Sequence, residues 1–367
     1  MANSDGTKLK YSKLTEDLKQ MILEGKLQAG NKIPSENQLA ESYQVSRHTV
    51  RKALSILENE GYLYAVHGKG TYCSELVRHT KTSRNIAVVT TYLSDYIFPR
   101  VIQGIDEVMT EHGYSIILKN TRNSRQAEAK CLEELLQKDM EGLIIEPSKS
   151  EIFCRHTALY EKLDQYGIPY VFIQGCFEQM EDKPQVLMDD CKGGYLITKY
   201  LISLGHQRIL GVFKADDTQG RERHRGYVKA LQETGFLYHP EDVIWFHTED
   251  RGIKPFVMLK EIVRRGILFD AVVCYNDQIA VEVMKALEEC GKCVPNEVSV
   301  TGYDNSFIAQ NYKIKLTTIA HPQEKLGEMA AQLLLKLIQN PNITLEESKL
   351  IITPELIERE SCQSRKK

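Results

Sequence analysis

Ser35-Glu36-Asn37-Gln38-Leu39-Ala40, followed by Val45-Ser46-Arg47-His48-Thr49-Val50-Arg51-Lys52-Ala53-Leu54, is the stretch whose reading decides the N-terminal fold. Ser35 with Gln38 three residues on is a capping-box pattern, predicting a short helix with Leu39 and Ala40 inward that ends near Tyr43. A turn over Gln44 and Val45 follows. Ser46 then caps a longer helix, with Val50, Ala53, Leu54 and Leu57 on one face and Arg47, His48, Thr49, Arg51 and Lys52 on the other. Two helices joined by a tight turn make a helix-turn-helix pattern.

Working outward, Leu14, Leu18, Ile22 and Leu23 fall at helical spacing until Gly25 and Gly30 stop the helix. Downstream, Gly61 ends the longer helix. Residues 62–66 read as a strand by their aromatic and β-branched content, 67–70 as a turn and 71–73 as a returning strand. Three helices and a hairpin predict a winged helix-turn-helix over 1–74, and the polar, aperiodic stretch 75–84 reads as a linker.

From Ile86 the pattern changes to short apolar strands alternating with amphipathic helices. Ile86-Ala87-Val88-Val89 precedes a helix through Ile102, Ile105 and Met109, and Tyr114-Ser115-Ile116-Ile117-Leu118 precedes one through Cys131, Leu135 and Leu136. Gly142-Leu143-Ile144-Ile145 and Tyr170-Val171-Phe172-Ile173 continue the set. The series restarts after Asp190, with a helix over 193–204 and strands over 208–213, 243–246, 271–274 and 298–300. Near-continuous apolar strands separated by helices predict parallel sheets covered on both faces, here as two successive α/β lobes with a cleft between them. The fold class is therefore α/β behind a winged head, with the second domain over 85–367. Ligands of such sheets sit at the carboxyl ends of the strands.

A chain of 367 residues has room for two or three packed units. Its 42% hydrophobic and 26% charged content excludes fibrous and disordered classes. The net charge of −3 argues against a protein coated with basic residues, but it is an average. Residues 1–78 carry eleven Lys and Arg against nine Asp and Glu, so the head is +2 and the remainder −5. No apolar run reaches the ~20 residues a membrane span needs, and residues 1–10 are polar without a signal-peptide core, so a cytoplasmic location is expected. Nine Cys, an odd number scattered from Cys73 to Cys362, read as reduced, mostly buried residues. Cys290 and Cys293 have a CxxC spacing that serves zinc or thiol redox chemistry elsewhere, yet no second ligand pair accompanies them and they close a helical stretch, so a structural reading is preferred and no metal is expected.

Arg47 and Arg51 lie one turn apart on one helix face, which suits guanine contacts, phosphate contacts or a plain solvated face. Lys69, between Gly68 and Gly70, is placed to follow an adjacent groove. The runs Lys32 to Ala40, Val45 to Leu54, Gly61-Tyr62-Leu63 and Gly68-Lys69-Gly70-Thr71-Tyr72 closely resemble the DNA-binding head of the GntR family of bacterial repressors. The resemblance implies that Arg47, His48, Thr49 and Arg51 face an operator, with Ser46 beside them, Ser35 and Glu36 at the mouth of the motif, and Gly68, Lys69 and His67 on the wing. Lys10 and Tyr11, at the N-terminal edge of the head, complete this set.

The second part resembles another family. Gly193-Gly194 after Asp190, Leu204-Gly205-His206-Gln207-Arg208-Ile209, Arg223 ahead of Gly226-Tyr227, Tyr275-Asn276-Asp277-Gln278-Ile279-Ala280, Gly302-Tyr303-Asp304 and Leu316-Thr317-Thr318-Ile319 are similar to the sugar-binding core of LacI-type repressors, related to periplasmic sugar-binding proteins. A GntR head on a LacI-type core implies a homodimeric repressor of sugar-utilisation genes that binds a pseudo-palindromic operator and answers to a pentose, L-arabinose foremost, with no cofactor.

A sugar site needs partners for hydroxyls and an apolar plate for the C–H face. Tyr96, Phe98, Glu146, Gln174, Arg223, Asn276 and Asp304 all lie just after strands, and the resemblance places Arg223, Asn276 and Asp304 against the ligand. Alternatives stand beside these: Asp304 capping a turn, Arg223 paired with Glu222 or Asp216, Tyr96 and Phe98 in a core or dimer interface. The adjacent carboxylates Asp189-Asp190 and Asp216-Asp217 would point different ways from a loop, so a catalytic pair is not expected. G-x-G-x-x-G is missing after the first strand, where Thr90-Thr91-Tyr92-Leu93-Ser94-Asp95 stands, and no P-loop or G-x-S-x-G elbow occurs. The chain reads as a binder rather than an enzyme. Two other readings remain open: a repressor for another sugar or a sugar phosphate, and a sugar-binding or sugar-processing protein with a non-functional head.

Overall fold

A computed structural model describes residues 4–23, 26–28, 30–59, 61–66, 68–74, 83–93, 96–340 and 343–366. Most of the expected linker, residues 75–82, lies outside the described residues, as do His67 and the side chain of Lys10.

The head runs α1 (Ser4–Leu23), α2 (Glu36–Ser42), α3 (Arg47–Asn59), β1 (Leu63–Val66) and β2 (Gly70–Cys73). The capping box at Ser35 is present: its side chain takes the Gln38 N–H, and the Gln38 side chain takes the Ser35 N–H. Leu14, Leu18 and Ile22 pack with Leu39, Val50, Ala53, Leu54 and Leu57, closing one small core under the three helices. β1 and β2 pair antiparallel, Leu63 opposite Cys73 and Val66 opposite Gly70. Gly68 sits at φ +75° within that hairpin, a conformation that favours glycine, and the Lys69 N–H closes the turn on Val66 O at 2.9 Å.

The second domain continues with β3 (Asn85–Thr90), α4 (Phe98–Glu111), β4 (Ser115–Asn120), α5 (Arg125–Leu135), β5 (Gly142–Ile145), α6 (Thr157–Gln165), β6 (Tyr170–Ile173) and β7 (Gln185–Met188). Then come α7 (Asp190–Ser203), β8 (Ile209–Lys214), α8 (Thr218–Glu233), β9 (Val243–Phe246), α9 (Lys254–Arg264), β10 (Ala271–Cys274), α10 (Asp277–Glu289), β11 (Ser299–Asp304), α11 (Phe307–Asn311), β12 (Thr317–Ala320), α12 (Gln323–Gln339), α13 (Leu345–Ser348), β13 (Lys349–Ile352) and β14 (Glu355–Ile357).

Two six-stranded sheets result, ordered β13-β7-β6-β5-β3-β4 and β14-β12-β11-β10-β8-β9. Pairing is parallel along β3-β5-β6-β7-β13 and along β9-β8-β10-β11-β12, while β14 joins β12 antiparallel at the edge. The central strands are buried along their full length, as their uninterrupted apolar runs require.

The lobes are not successive halves of the chain, as the restart of the pattern after Asp190 had implied. After β12 the chain crosses back, so α12 packs on the first sheet with Leu326, Ala330 and Leu334 among Val101, Ile105 and Met109 of α4. β13 then adds to that sheet before β14 returns to the second. Three crossovers, between β7 and α7, β12 and α12, and β13 and β14, therefore join the lobes. The inward face of α4 is Val101, Ile105, Val108 and Met109, and Leu132, Leu135 and Leu136 are buried at α5 and just after it. Ile105, Met109, Leu135 and Leu136 are thus inward as expected, while Ile102 and Cys131 are only half-buried and Val101 and Leu132 take the inward positions next to them. β7, β13 and β14 had not been foreseen, nor had β12 been read as a strand: they are short, and β13, despite its Leu350-Ile351-Ile352 run, and β14 are partly exposed edge strands.

Candidate functional site

On the head, Arg47, His48, Arg51 and Lys52 are exposed along α3. Thr49 is not. It is 4% exposed, and its N–H and hydroxyl both bond the Ser46 side chain, at 3.1 and 2.8 Å. The expectation that Thr49 faces an operator is corrected here: position three of α3 turns onto the core beside Val50, and Ser46 is occupied in capping. Arg51 forms a two-pronged bond to Glu36 of α2, Nε to Oε1 at 3.2 Å and Nη2 to Oε2 at 2.9 Å, and this bond holds the Glu36 carboxyl below its ordinary range. Glu36, one of the expected DNA-facing residues, thus acts as a brace that orients Arg51. Lys52 Nζ lies 4.1 Å above the Tyr11 ring, tying the third turn of α1 to α3. Ser35 is exposed but engaged with Gln38, while Gly68 and Lys69 are exposed at the tip of the hairpin.

In the second domain the carboxyl ends of both sheets face one cleft. Tyr96, Phe98, Glu146, Gln174, Arg223, Asn276 and Asp304 all line it. Sequence reasoning missed Thr91, Tyr92, Asn123, Lys214, Asp217, Gln219, Arg251 and Tyr275, which line it too. Their signal was available, since Thr91 follows β3, Asn123 follows β4, Lys214 ends β8, Arg251 follows β9 and Tyr275 follows β10.

Arg223 is 4% exposed. Its Nε donates to Asp190 Oδ1 at 2.8 Å, its Nη1 to Tyr275 O at 2.7 Å, and its Nη2 lies 3.6 Å from Asp304 Oδ1. The guanidinium also sits 3.6 Å from the centre of the Tyr303 ring. Burial opposes its charge, but Asp190 and Asp304 outweigh that and hold it above its ordinary value. Glu222 and Asp216, the alternative partners, are engaged elsewhere: Glu222 with Arg221 and Arg225, Asp216 with Lys214, Lys149 and the Thr248 N–H. Asp304 caps no turn with its Oδ1, which is buried without a hydrogen bond, and its φ of +97° marks a backbone held out of its preferred region.

Lys214 is buried against Asp217 Oδ2 at 2.9 Å and Asp216 Oδ1 at 3.6 Å, and Tyr275 Oη donates to the same Asp217 oxygen at 2.7 Å. Asp217 also caps α8 through the Gly220 N–H, and Asp189 caps α7 through the Lys192 N–H. Asp189 and Asp190 do point different ways, Asp190 toward Arg223, but Asp216 and Asp217 converge on the Lys214 ammonium, which corrects the expectation that neighbouring carboxylates in this loop diverge. The Asn276 side chain caps α10 through the Ile279 N–H. Tyr96 belongs to neither a hydrophobic core nor an outer face. Its hydroxyl donates to Tyr303 O at 3.0 Å and accepts the Asp277 N–H at 3.2 Å, carrying the first lobe onto the second. Phe98 stands at the start of α4 with its ring 5.9 Å from that of Tyr92, an apolar wall for the cleft.

Glu146 accepts the N–H and hydroxyl of Thr91 at 2.8 and 2.6 Å, yet burial pushes its pKa up to about 7. The folded protein thus keeps a proton that the unfolded chain releases above about pH 4.5, so this group costs stability as pH rises through that window. Glu146→Gln is expected to gain stability over the parent between pH 5 and pH 8, by up to about 3 kcal/mol, read from paired Tm values at the two pH values. A pH-independent difference would contradict the assigned burial.

Other contacts tie the lobes across the cleft. Asn123 Nδ2 donates to Thr248 Oγ1 at 2.7 Å, the Thr218 N–H donates to Ser150 Oγ at 3.0 Å, and Arg221 reaches Glu151 at 3.0 Å. All nine cysteines are free thiols; Cys290 ends α10 and Cys293 is exposed. Among the described residues no three His, Cys, Asp or Glu side chains are grouped to hold a metal ion, and no helix is long and apolar enough to cross a membrane.

Two family models match the chain. Residues 10–73 fit the gntR family of bacterial regulatory proteins, and residues 198–362 fit a periplasmic binding protein-like domain. The arabinose metabolism transcriptional repressor of Halalkalibacterium halodurans is 40% identical over 367 residues, covering 97% of both chains. The chain belongs to the arabinose metabolism transcriptional repressors. Their Geobacillus stearothermophilus member is 38% identical over 96% of this chain and 98% of its own. These repressors are regulators rather than enzymes, with a DNA-binding head and a sugar-binding effector domain. Among solved structures, a LacI family transcriptional regulator from Enterococcus faecium with bound ribose matches at a TM-score of 0.65 and 27% identity, covering 77% of this chain and all of that one. A periplasmic binding protein/LacI transcriptional regulator from Alkaliphilus metalliredigens complexed with D-xylulofuranose matches equally well at 25% identity.

Proposed function

We propose that the protein is a cytoplasmic repressor of pentose-utilisation genes, a homodimer that holds a pseudo-palindromic operator through its heads and releases it when L-arabinose closes the cleft. The domain limits read from the sequence, a head over 1–74, a linker over 75–84 and an effector domain over 85–367, belong to this proposal. Arg47, His48, Arg51 and Lys69 are the residues offered to DNA, and a two-fold dimer would set them on two half-sites.

The observation that carries the reading is the state of the polar atoms in the cleft. Gln219 Oε1 and Asp304 Oδ1 are buried acceptors without hydrogen bonds, and Gln174 Nε2 is a buried donor without one. An uncharged polyol satisfies acceptors and donor together. The buried cations Lys214 and Arg223 each already face two carboxylates. A phosphate would have to compete with those carboxylates, which favours a free sugar over a sugar phosphate. The relatives' role in arabinose metabolism and the ribose and xylulose in the two solved structures support a pentose.

The sugar can weaken DNA binding only to the extent that it prefers one lobe arrangement over the other. A difference of about 3 kcal/mol would weaken operator binding roughly 150-fold. A thermal-shift screen over pentoses, hexoses and their phosphates tests the ligand. L-arabinose at about 100 times its Kd should add roughly 2.7 kcal/mol and raise Tm by several degrees. A shift given by a phosphate ester alone would replace this reading with its runner-up.

Closure also has a steric signature. Gly175, after β6, has no room for a side chain: a Cβ there would stand 2.7 Å from Thr218 Oγ1, 3.0 Å from Ser150 Oγ and 3.3 Å from Gln219 Oε1. Gly175→Ala is expected to push α8 away, weaken sugar binding about tenfold and leave sugar-free operator binding unchanged. Calorimetry and gel shift on one preparation read both quantities, and unaltered sugar affinity would rule out this approach as part of closure.

A further inference from the structure

We propose that His321, which does not line the cleft, is a positioning residue that fixes the amide of Gln174 so that it offers a hydrogen-bond donor to the ligand. This rests on the reading of the cleft as a sugar site. His321 lies in the crossover from β12 to α12, buried, with Nε2 2.9 Å from Gln174 Oε1. Gln174 is itself set in a tight turn: the Gly175 N–H donates to Ile173 O at 2.7 Å with Gln174 at φ +67°, a strained γ-turn that throws its side chain off the end of β6 toward the cleft.

Two orientations of the amide and two tautomers of the ring are conceivable, and burial chooses among them. Burial keeps the imidazole neutral, with its pKa pushed down to about 4, so the ring carries one N–H. His321 Nδ1 is buried with no hydrogen-bond partner. With the proton on Nδ1, a buried N–H would be orphaned, whichever way the amide turned. With the proton on Nε2, the ring donates to Gln174 Oε1 and leaves only an unused acceptor at Nδ1, the cheaper deficit. The amide oxygen is then occupied, and Nε2 of Gln174, buried and unpartnered, is the group presented to the cleft.

The chemical consequence is a division of labour. Asp304 Oδ1 and Gln219 Oε1 can only accept, so they read hydroxyl hydrogens, whereas Gln174 Nε2 can only donate and reads a ligand oxygen as acceptor. Without His321 the amide could turn its oxygen inward, adding a third acceptor where the ligand needs a donor. Because His321 belongs to a crossover between the lobes, the same bond ties the orientation of this donor to the position of that crossover.

The test uses the full-length chain with L-arabinose as probe. His321→Leu removes the donor together with an unsatisfied buried nitrogen, so its Tm should stay within about 2 °C of the parent while L-arabinose binding weakens about tenfold. His321→Gln, whose amide can donate to Gln174 Oε1, should stay within about threefold of the parent. In a Gln174→Ala background, His321→Leu should cost nothing further, because His321 acts only through Gln174. Full affinity in His321→Leu, or an additive loss in the double variant, would overturn the proposal. A sugar-free readout separates it from the ligand assignment: nitrogen-15 NMR of labelled histidine should show His321 protonated on Nε2. Protonation on Nδ1 overturns the positioning role even if L-arabinose binds. Failure of the parent to bind L-arabinose, with the Nε2 tautomer seen, overturns the ligand and leaves the positioning intact.

Discussion

Arg223→Ala is expected to abolish the response to sugar and to destabilise the effector domain by about 3–5 kcal/mol, the usual cost of removing one partner from a buried ion pair. Two effects add. The side chain holds Asp190 at 2.8 Å and the Tyr275 carbonyl at 2.7 Å, and it is the cation nearest Asp304, at 3.6 Å. Its removal leaves two buried carboxylates facing each other across an emptied space. It also removes the rigid fork behind the cleft and the plate stacked on Tyr303. Loss of folding and loss of recognition are separable: Arg223→Ala with Asp190→Asn relieves the unpaired charge and should recover most of the Tm, while the sugar-induced shift stays absent. Gel shift should show the double variant retaining operator DNA at sugar concentrations that release the parent. Normal release by the double variant would remove Arg223 from the site.

The second large effect belongs to the head. Arg47→Ala with Arg51→Ala should lower operator affinity by two orders of magnitude or more, at about 1–3 kcal/mol for each base-reading arginine. If the two contact phosphates instead, the loss is similar across DNA sequences and the slope of log affinity against log salt falls by about two. Both side chains are exposed, so Tm and sugar binding should be unchanged. Glu36→Gln sharpens the assignment. It loosens the two-pronged brace on Arg51 and removes one negative charge beside the DNA face, so a modest fall in specificity with unchanged or higher non-specific affinity marks Glu36 as an orienting residue.

Much of this architecture was legible because its determinants are local. The capping box at Ser35, the apolar faces of α2 and α3, and the glycines of the hairpin each act within a few residues, and they placed the winged head before any coordinates. The parallel strands were legible as apolar runs such as Leu143-Ile144-Ile145 and Val272-Val273-Cys274. What escaped depends on distant partners. β13 and β14 are edge strands whose pairing with β7 and β12 no local period announces, and their crossing turned two apparent halves into lobes exchanging segments. In the cleft, the four residues placed by position after a strand and the three implied by the LacI-type resemblance all line it, Arg223 from within α8 rather than from a loop. Thr49 failed on the head because polarity was taken for exposure, whereas its hydroxyl is satisfied by Ser46 and can be buried. Lys214 was passed over for the converse reason: a lysine ending an apolar strand reads as a solvated end, until Asp216 and Asp217 fold back to neutralise it.

The central claim is that one chain couples a DNA-binding head to a sugar-closed cleft, and one titration tests it most directly. Full-length protein is bound to a fluorescently labelled duplex from the gene's own upstream region, and anisotropy is followed as L-arabinose is added. Release of the DNA with a saturable dependence on L-arabinose, weakening operator binding by the order of 100-fold, is the result predicted. Retention of the duplex at saturating L-arabinose, by protein whose Tm that sugar raises, would contradict it.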